Sequence, residues 1–172
     1  MKNITLILSI CLFCCQQLFS QNNNSIKPCS SPEASQFDFW KGEWDLSWNG
    51  DTVRGANHIT EEMGGCVVYE HFSNPSGNYY GWSWSVFDPR SGKWKQTWVD
   101  NQGAYIDLTG GMQDGKMILQ TEFHDKEGKL VMQRMVFYNI TQDQFDWEWQ
   151  GSKDAGQSWN TNWKIHYKRK RA

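Results

Sequence analysis

Helical periodicity is nearly missing from this sequence. Beyond a turn or two, apolar residues do not recur at the i, i+3, i+4, i+7 spacing of a helix face, which excludes a helix bundle and an alternating α/β architecture. Long apolar runs are missing too. The longest spans residues 4–13 and is too short to cross a membrane as a helix. No internal repeat is present, and 172 residues are few for a propeller of several four-stranded blades, so repeat architectures are excluded as well. The chain has no phosphate loop, dinucleotide fingerprint or nucleophile elbow, and none of its four His lies in an HExxH or CxxC-type pattern, which removes the chemistries those spacings carry. An excess of positive charge is also lacking. Setting aside residues 1–20 leaves 16 Lys and Arg against 19 Asp and Glu, a net charge near −3 that gives nucleic acid no attraction. The basic end Lys168–Arg171 is short and reads as a solvated strand end.

The first twenty residues combine Lys2, a short apolar stretch and a small Ser20 before Gln21. This is the pattern of a secretory signal peptide, and the mature protein is expected to be exported, periplasmic or secreted. A lipid anchor at Cys11 is disfavoured because the bulky Ile10 precedes it. The expected organisation is a signal peptide over 1–20, a polar linker over 21–35 and one domain over 36–172. Removing the leader takes Cys11, Cys14 and Cys15 with it and leaves Cys29 and Cys66. In an exported chain these two are a disulfide candidate, with a buried free pair as the alternative.

What the sequence does hold is aromatic rings. Aromatics make up 15% of the chain and Trp alone accounts for 11 residues, so the core must lean on rings more than on Leu and Ile. They fall in short alternating segments near 43–49, 52–60, 66–73, 79–87, 94–100, 104–110, 116–124, 130–140, 144–150 and 158–170. Turn formers such as Asp88-Pro89-Arg90-Ser91-Gly92, Asp114-Gly115 and Glu127-Gly128 separate them. Ten strands joined by such short links predict an all-β antiparallel meander. An open meander of that size exposes two edges, and closure removes both, so the reading is a single up-and-down barrel. About eight strands just fill with side chains, so ten leave room for a cavity. A helical turn is expected only in the segment 31–40, with Ser31 as cap and Pro32 at the first position.

The stretch SKDAGQSW (152–159) fits Ser-x-Asp-x-Gly-x-Ser/Thr-Trp, the Asp box of sialidases and other propeller glycosidases. Asp154, Gly156 and Ser158 are turn formers between two aromatic runs, so the stretch reads first as a hairpin turn anchored by Trp159. Glycosidases need two facing carboxylates, and nothing in the sequence singles out such a pair.

Candidate site residues come from polar groups set in aromatic strands. Alternation places Gln96, Trp98 and Asp100 on one face of their strand. Glu70 and Arg134 each interrupt an apolar strand. Either both point to water, or they form an inward pair orienting a ligand among Trp98, Trp149 and Tyr105, since an unpaired buried charge is costly. A one-residue slip in register would instead turn Tyr69, His71 and Met135 inward. Of the four His, His166 on the last strand is the position where a barrel would hold haem, although its place beside a basic tail fits an exterior side chain better. No metal site is expected.

The segments FDFWKGEW (37–44), GGCVVYEHF (64–72), FDPRSGKWKQTWVDNQG (87–103), LTGGMQDGKMIL (108–119), SKDAGQSW and the final YKR resemble a family of exported bacterial lipocalin-like domains of unknown function. The resemblance runs from about Cys29 to Arg171. It implies a calycin-type closed barrel, with Gly42 and Trp44 on the first strand packed across the closed end against Arg169 of the last. It also implies that Cys29 and Cys66 are paired, and it brings no established reaction. Three functions remain open: a binder of a small apolar or amphipathic molecule, a cavity enzyme (isomerase or hydrolase) with Glu70 or Asp100 as general base, and a carbohydrate binder stacking sugars on Trp82 and Trp84.

Overall fold

The computed structural model describes residues 27–171. The expected signal peptide, with Cys11, and the first part of the linker lie outside the described residues. The described chain is a closed antiparallel barrel of ten strands. These are β1 (Gly42–Ser47), β2 (Val53–Glu62), β3 (Val67–Asn74), β4 (Tyr79–Asp88), β5 (Lys93–Asp100), β6 (Tyr105–Gln113), β7 (Lys116–His124), β8 (Leu130–Tyr138), β9 (Gln144–Ser152) and β10 (Asn160–Arg169). Each strand pairs with its sequence neighbours, and β10 returns to pair with β1 from Trp44↔Arg169 to Ser47↔His166. Every edge is thereby removed, as anticipated from the short links.

One end of the barrel is plugged by the chain that leads into it. Two 3-10 turns, Glu33–Ser35 and Asp38–Trp40, fold beneath the strands, and the Ser31 hydroxyl accepts the Ala34 N–H at 3.3 Å. Phe37 and Trp40, three residues apart, project the same way and are fully buried. Phe37 meets Trp94 edge-on at 4.8 Å, and the Trp94 indole donates to the Glu33 carbonyl at 3.2 Å. A disulfide between Cys29 and Cys66 ties the leading segment to the β2–β3 connection. Closing a loop of this length removes unfolded-chain entropy equivalent to about 3–4 kcal/mol.

Above the plug, the Arg169 guanidinium lies 4.1 Å over the Trp44 ring and donates to the carbonyls of Lys41 (2.7 Å), Phe39 (3.2 Å) and Gln142 (2.7 Å). Trp44 in turn donates its indole N–H to the Trp40 carbonyl at 2.7 Å. Gly42 makes this approach possible. Its φ is +118°, and a Cβ there would come within 2.4 Å of Arg169 Nη1. One cation thus joins the last strand, the first strand, the plug and the β8–β9 turn, while its charge faces an indole π-system. Trp44→Ala is expected to cost about 3–5 kcal/mol, the range for truncating a large buried aromatic. Urea unfolding should show a lower midpoint at unchanged slope, and a midpoint equal to the parent's would remove Trp44 from the core.

Candidate functional site

The middle of strand β4 carries its aromatics on the outside. Tyr80, Trp82, Trp84 and Val86 are exposed, while Gly81, Ser83 and Ser85 face inward and are buried. The space over these small residues is filled from the neighbouring strands. Trp98 of β5 lies flat over Gly81, so close that a Cβ would sit 2.0 Å from its ring. Glu70 of β3 lies opposite Ser83, and Gln96 of β5 opposite Ser85.

These polar side chains form one buried network. Asn57 of β2 donates to Glu70 Oε1 at 2.7 Å, and the Ser83 hydroxyl donates to Oε2 at 2.5 Å. The Gln96 amide donates to Ser83 Oγ at 3.1 Å and to Ser85 Oγ at 3.0 Å. Asn57 Nδ2 also reaches the Tyr167 hydroxyl at 3.2 Å. Glu70 is only 5% exposed, and among the described residues no Lys, Arg or His forms an ion pair with it. Burial pushes its carboxyl up to about 7, against the downward pull of the Ser83 and Asn57 hydrogen bonds. Asn57 Oδ1 and Gln96 Oε1 are buried acceptors without a hydrogen-bond partner in the protein.

Glu70 forms part of the wall of a cavity of about 130 Å³. The rest of the wall is apolar or aromatic. Trp40, Leu108, Phe137 and Tyr167 are its buried deep part, and Tyr79, Trp98, Ile106, Trp149 and Trp163 form a partly exposed rim at the end away from the plug. The volume is close to the ~150 Å³ of an apolar cavity that takes up benzene. Among the described residues, Glu70 is the only charged side chain in the wall. Just outside it, Asp100 accepts the Tyr79 hydroxyl at 3.0 Å and the Trp98 indole N–H at 3.1 Å, so it positions two rim rings. Burial alone would raise the Asp100 carboxyl. Donation from the Ala104 N–H, Trp98, the Gln102 N–H and Tyr79 outweighs that and holds it below the usual range.

The structure therefore brings Glu70, Gln96, Trp98, Asp100 and Trp149 to one cavity or its border. Arg134 and Tyr105 are elsewhere. Met135 and Phe137 are the inward residues of β8, so Arg134 faces out, where its guanidinium lies 3.9 Å over Trp159 and its Nε donates to Gln150 at 2.7 Å. Glu70 and Arg134 are consequently not an ion pair. Tyr105 is 67% exposed because Ile106 and Leu108 are the inward positions of β6. His166 also faces out, between the buried Ile165 and Tyr167, with Nδ1 3.0 Å from the Asp146 carboxylate. Of the slipped-register alternatives, Met135 lines the cavity, while Tyr69 and His71 lie outside against Trp82.

The turn 152–159 is closed on itself. Ser152 donates to Asp154, which also accepts the Ser158 N–H and hydroxyl, and Trp159 donates to the Gly156 carbonyl at 3.1 Å. These bonds use up the Asp154 carboxylate as a turn former. Sequence reading missed Asn57, Ser83, Ser85 and Tyr167. The signal available for the two serines was the spacing Gly81-x-Ser83-x-Ser85, a stripe of small residues between large ones.

Glu70 sets a pH dependence of stability. Its carboxyl ordinarily titrates near 4.5 and is raised to about 7 in the fold. Between those values the folded protein holds a proton that the unfolded chain releases, so stability falls as pH rises through the window, by about 3 kcal/mol in all. Glu70→Gln, which keeps the shape and cannot ionise, should lack that fall and be the more stable protein above pH 7. Identical pH profiles for parent and variant in urea titrations would refute the burial argument. No family model matches the chain and no curated protein matches its sequence, so the chemistry of this site rests on its own residues.

Proposed function

We propose that the protein is an exported binder of a small apolar or amphipathic molecule, a lipocalin-like barrel that holds one ligand among the rings of Trp98, Trp149 and Trp163. The observation that carries this reading is the cavity itself, mainly apolar with a single placed polar group, the composition typical of ligand pockets. The disulfide supports an oxidising compartment, periplasmic or extracellular. No helix among the described residues is long and apolar enough to cross a membrane.

A second reading is favoured by one observation. A carboxyl at about 7 inside a cavity is poised as a general base near neutrality, which fits a cavity isomerase or hydrolase. Binding is the better supported of the two, because among the described residues the cavity wall offers Glu70 neither a second charged group nor a nucleophile.

Native mass spectrometry of protein purified from the cell that exports it tests both readings. A co-purifying molecule of about ten or fewer non-hydrogen atoms is expected, in keeping with the cavity's volume. Leu108→Phe, which fills the deep part of the cavity, should abolish that adduct while leaving cooperative unfolding intact. Retention of the adduct by Leu108→Phe would place the ligand elsewhere. Chemical change of the identified molecule by the parent, lost in Glu70→Gln, would establish the enzyme reading.

A further inference from the structure

We infer that the ligand is a small organic cation of the alkylammonium class, its charge held by Glu70 and its alkyl groups by the tryptophan faces. This rests on the cavity being the binding site. Its first support is the sign of the charges that meet the ligand; the wall's one buried donor left without a partner among the described residues is the neutral Trp40 indole N–H. Among the described residues, the wall carries one carboxylate and no Lys, Arg or His. Indole faces present negative quadrupole potential to whatever lies over them, and Trp is the strongest of the aromatic side chains in holding a cation. Behind the carboxylate, the buried atoms left without partners in the network are the oxygens Asn57 Oδ1 and Gln96 Oε1, both acceptors. At the rim, Asp100 adds a second negative charge.

The second support is how Glu70 is held. Both of its oxygens accept a hydrogen bond, one from Asn57 and one from Ser83, which is the arrangement that suits the ionised form. The protein supplies the hydrogen bonds of a carboxylate and withholds the countercharge, so an incoming cation completes the site. A neutral apolar ligand of the same size would leave the carboxylate uncompensated. The other titratable groups facing this region are Tyr79 of β4 and Tyr167 of β10. Burial, with the neighbouring carboxylates Asp100 and Glu70 respectively, holds both phenols well above their usual value and therefore neutral. β2 brings the amide Asn57, and β5 brings the amide Gln96 and, at the rim, Asp100, whose carboxyl is held below the usual range and stays ionised. Glu70 is thus the one group in the cavity wall that changes charge near neutral pH, and cation uptake is linked to release of its proton.

The test compares choline with 3,3-dimethylbutan-1-ol, its neutral carbon isostere, by calorimetric titration of the disulfide-intact protein. At pH 8 choline should bind at least about tenfold more tightly. Its affinity should fall by about tenfold or more on going to pH 5, where Glu70 is protonated, while that of the alcohol stays level. Glu70→Gln should hold both probes with equal affinity and lose the pH dependence for choline. Equal binding of the two probes by the parent, or a cation preference that survives Glu70→Gln, overturns the inference while leaving the cavity as a binding site for neutral molecules. Failure of choline to bind at millimolar concentration also overturns it, and the co-purified adduct then decides separately whether the cavity binds anything.

Discussion

Everything in this molecule depends on the seam between β1 and β10. A ten-stranded meander that failed to close there would expose two unpaired edges and open its aromatic interior to water. The seam is short, four registered pairs from Trp44↔Arg169 to Ser47↔His166, and hydrogen bonds between strands are only modestly favourable on balance. Arg169 reinforces it by a different means. Its guanidinium is spread over Trp44, and its N–H groups reach three carbonyls in the leading segment and the β8–β9 turn, so parting the strands would pull the cation off the indole and leave carbonyls unpaired. Closure, plug and the first strand therefore stand or fall together.

The interior follows from a mismatch of sizes. Trp is too large to occupy every inward position of a barrel, so a ring on β5 is accommodated by a small residue on β4. The pair is Trp98 over Gly81. The small residues bring a cost, because Ser83 and Ser85 carry hydroxyls that need partners inside. Glu70 and Gln96 supply them, and the polar network is the result. The cavity and its carboxylate thus share one origin, in the stripe of small residues on β4.

The fold was legible because alternation and turn chemistry are local. Asp88 to Gly92, Asp114-Gly115 and Glu127-Gly128 each separate two strands at the expected places. The site was legible only where a strand was asymmetric. On β5, Trp94, Gln96 and Trp98 alternate with Lys95 and Thr97, and the inward face could be chosen correctly. On β8 the run Met135-Val136-Phe137 is buried on both faces, so alternation gave no phase and Arg134 was set on the wrong side. On β6 the exposed Tyr105 resembled a wall residue in chemistry, while Ile106, one position on, occupied the wall. Asn57 was invisible for another reason: its role comes from Glu70 on β3 and Tyr167 on β10, and the second of these lies 110 residues away in the chain.

The plug has a geometrical consequence. β1 begins and β10 ends at the plugged end, where the Lys170 N–H donates to the Glu43 carbonyl and Cys29 is tied to Cys66. Both ends of the barrel chain thus depart from the face opposite the aromatic rim. A surface, a bead or a fused domain attached where the barrel chain begins or ends would hold the barrel by its base, with the rim turned outward. Immobilisation for sensing would need no redesign of the rim loops.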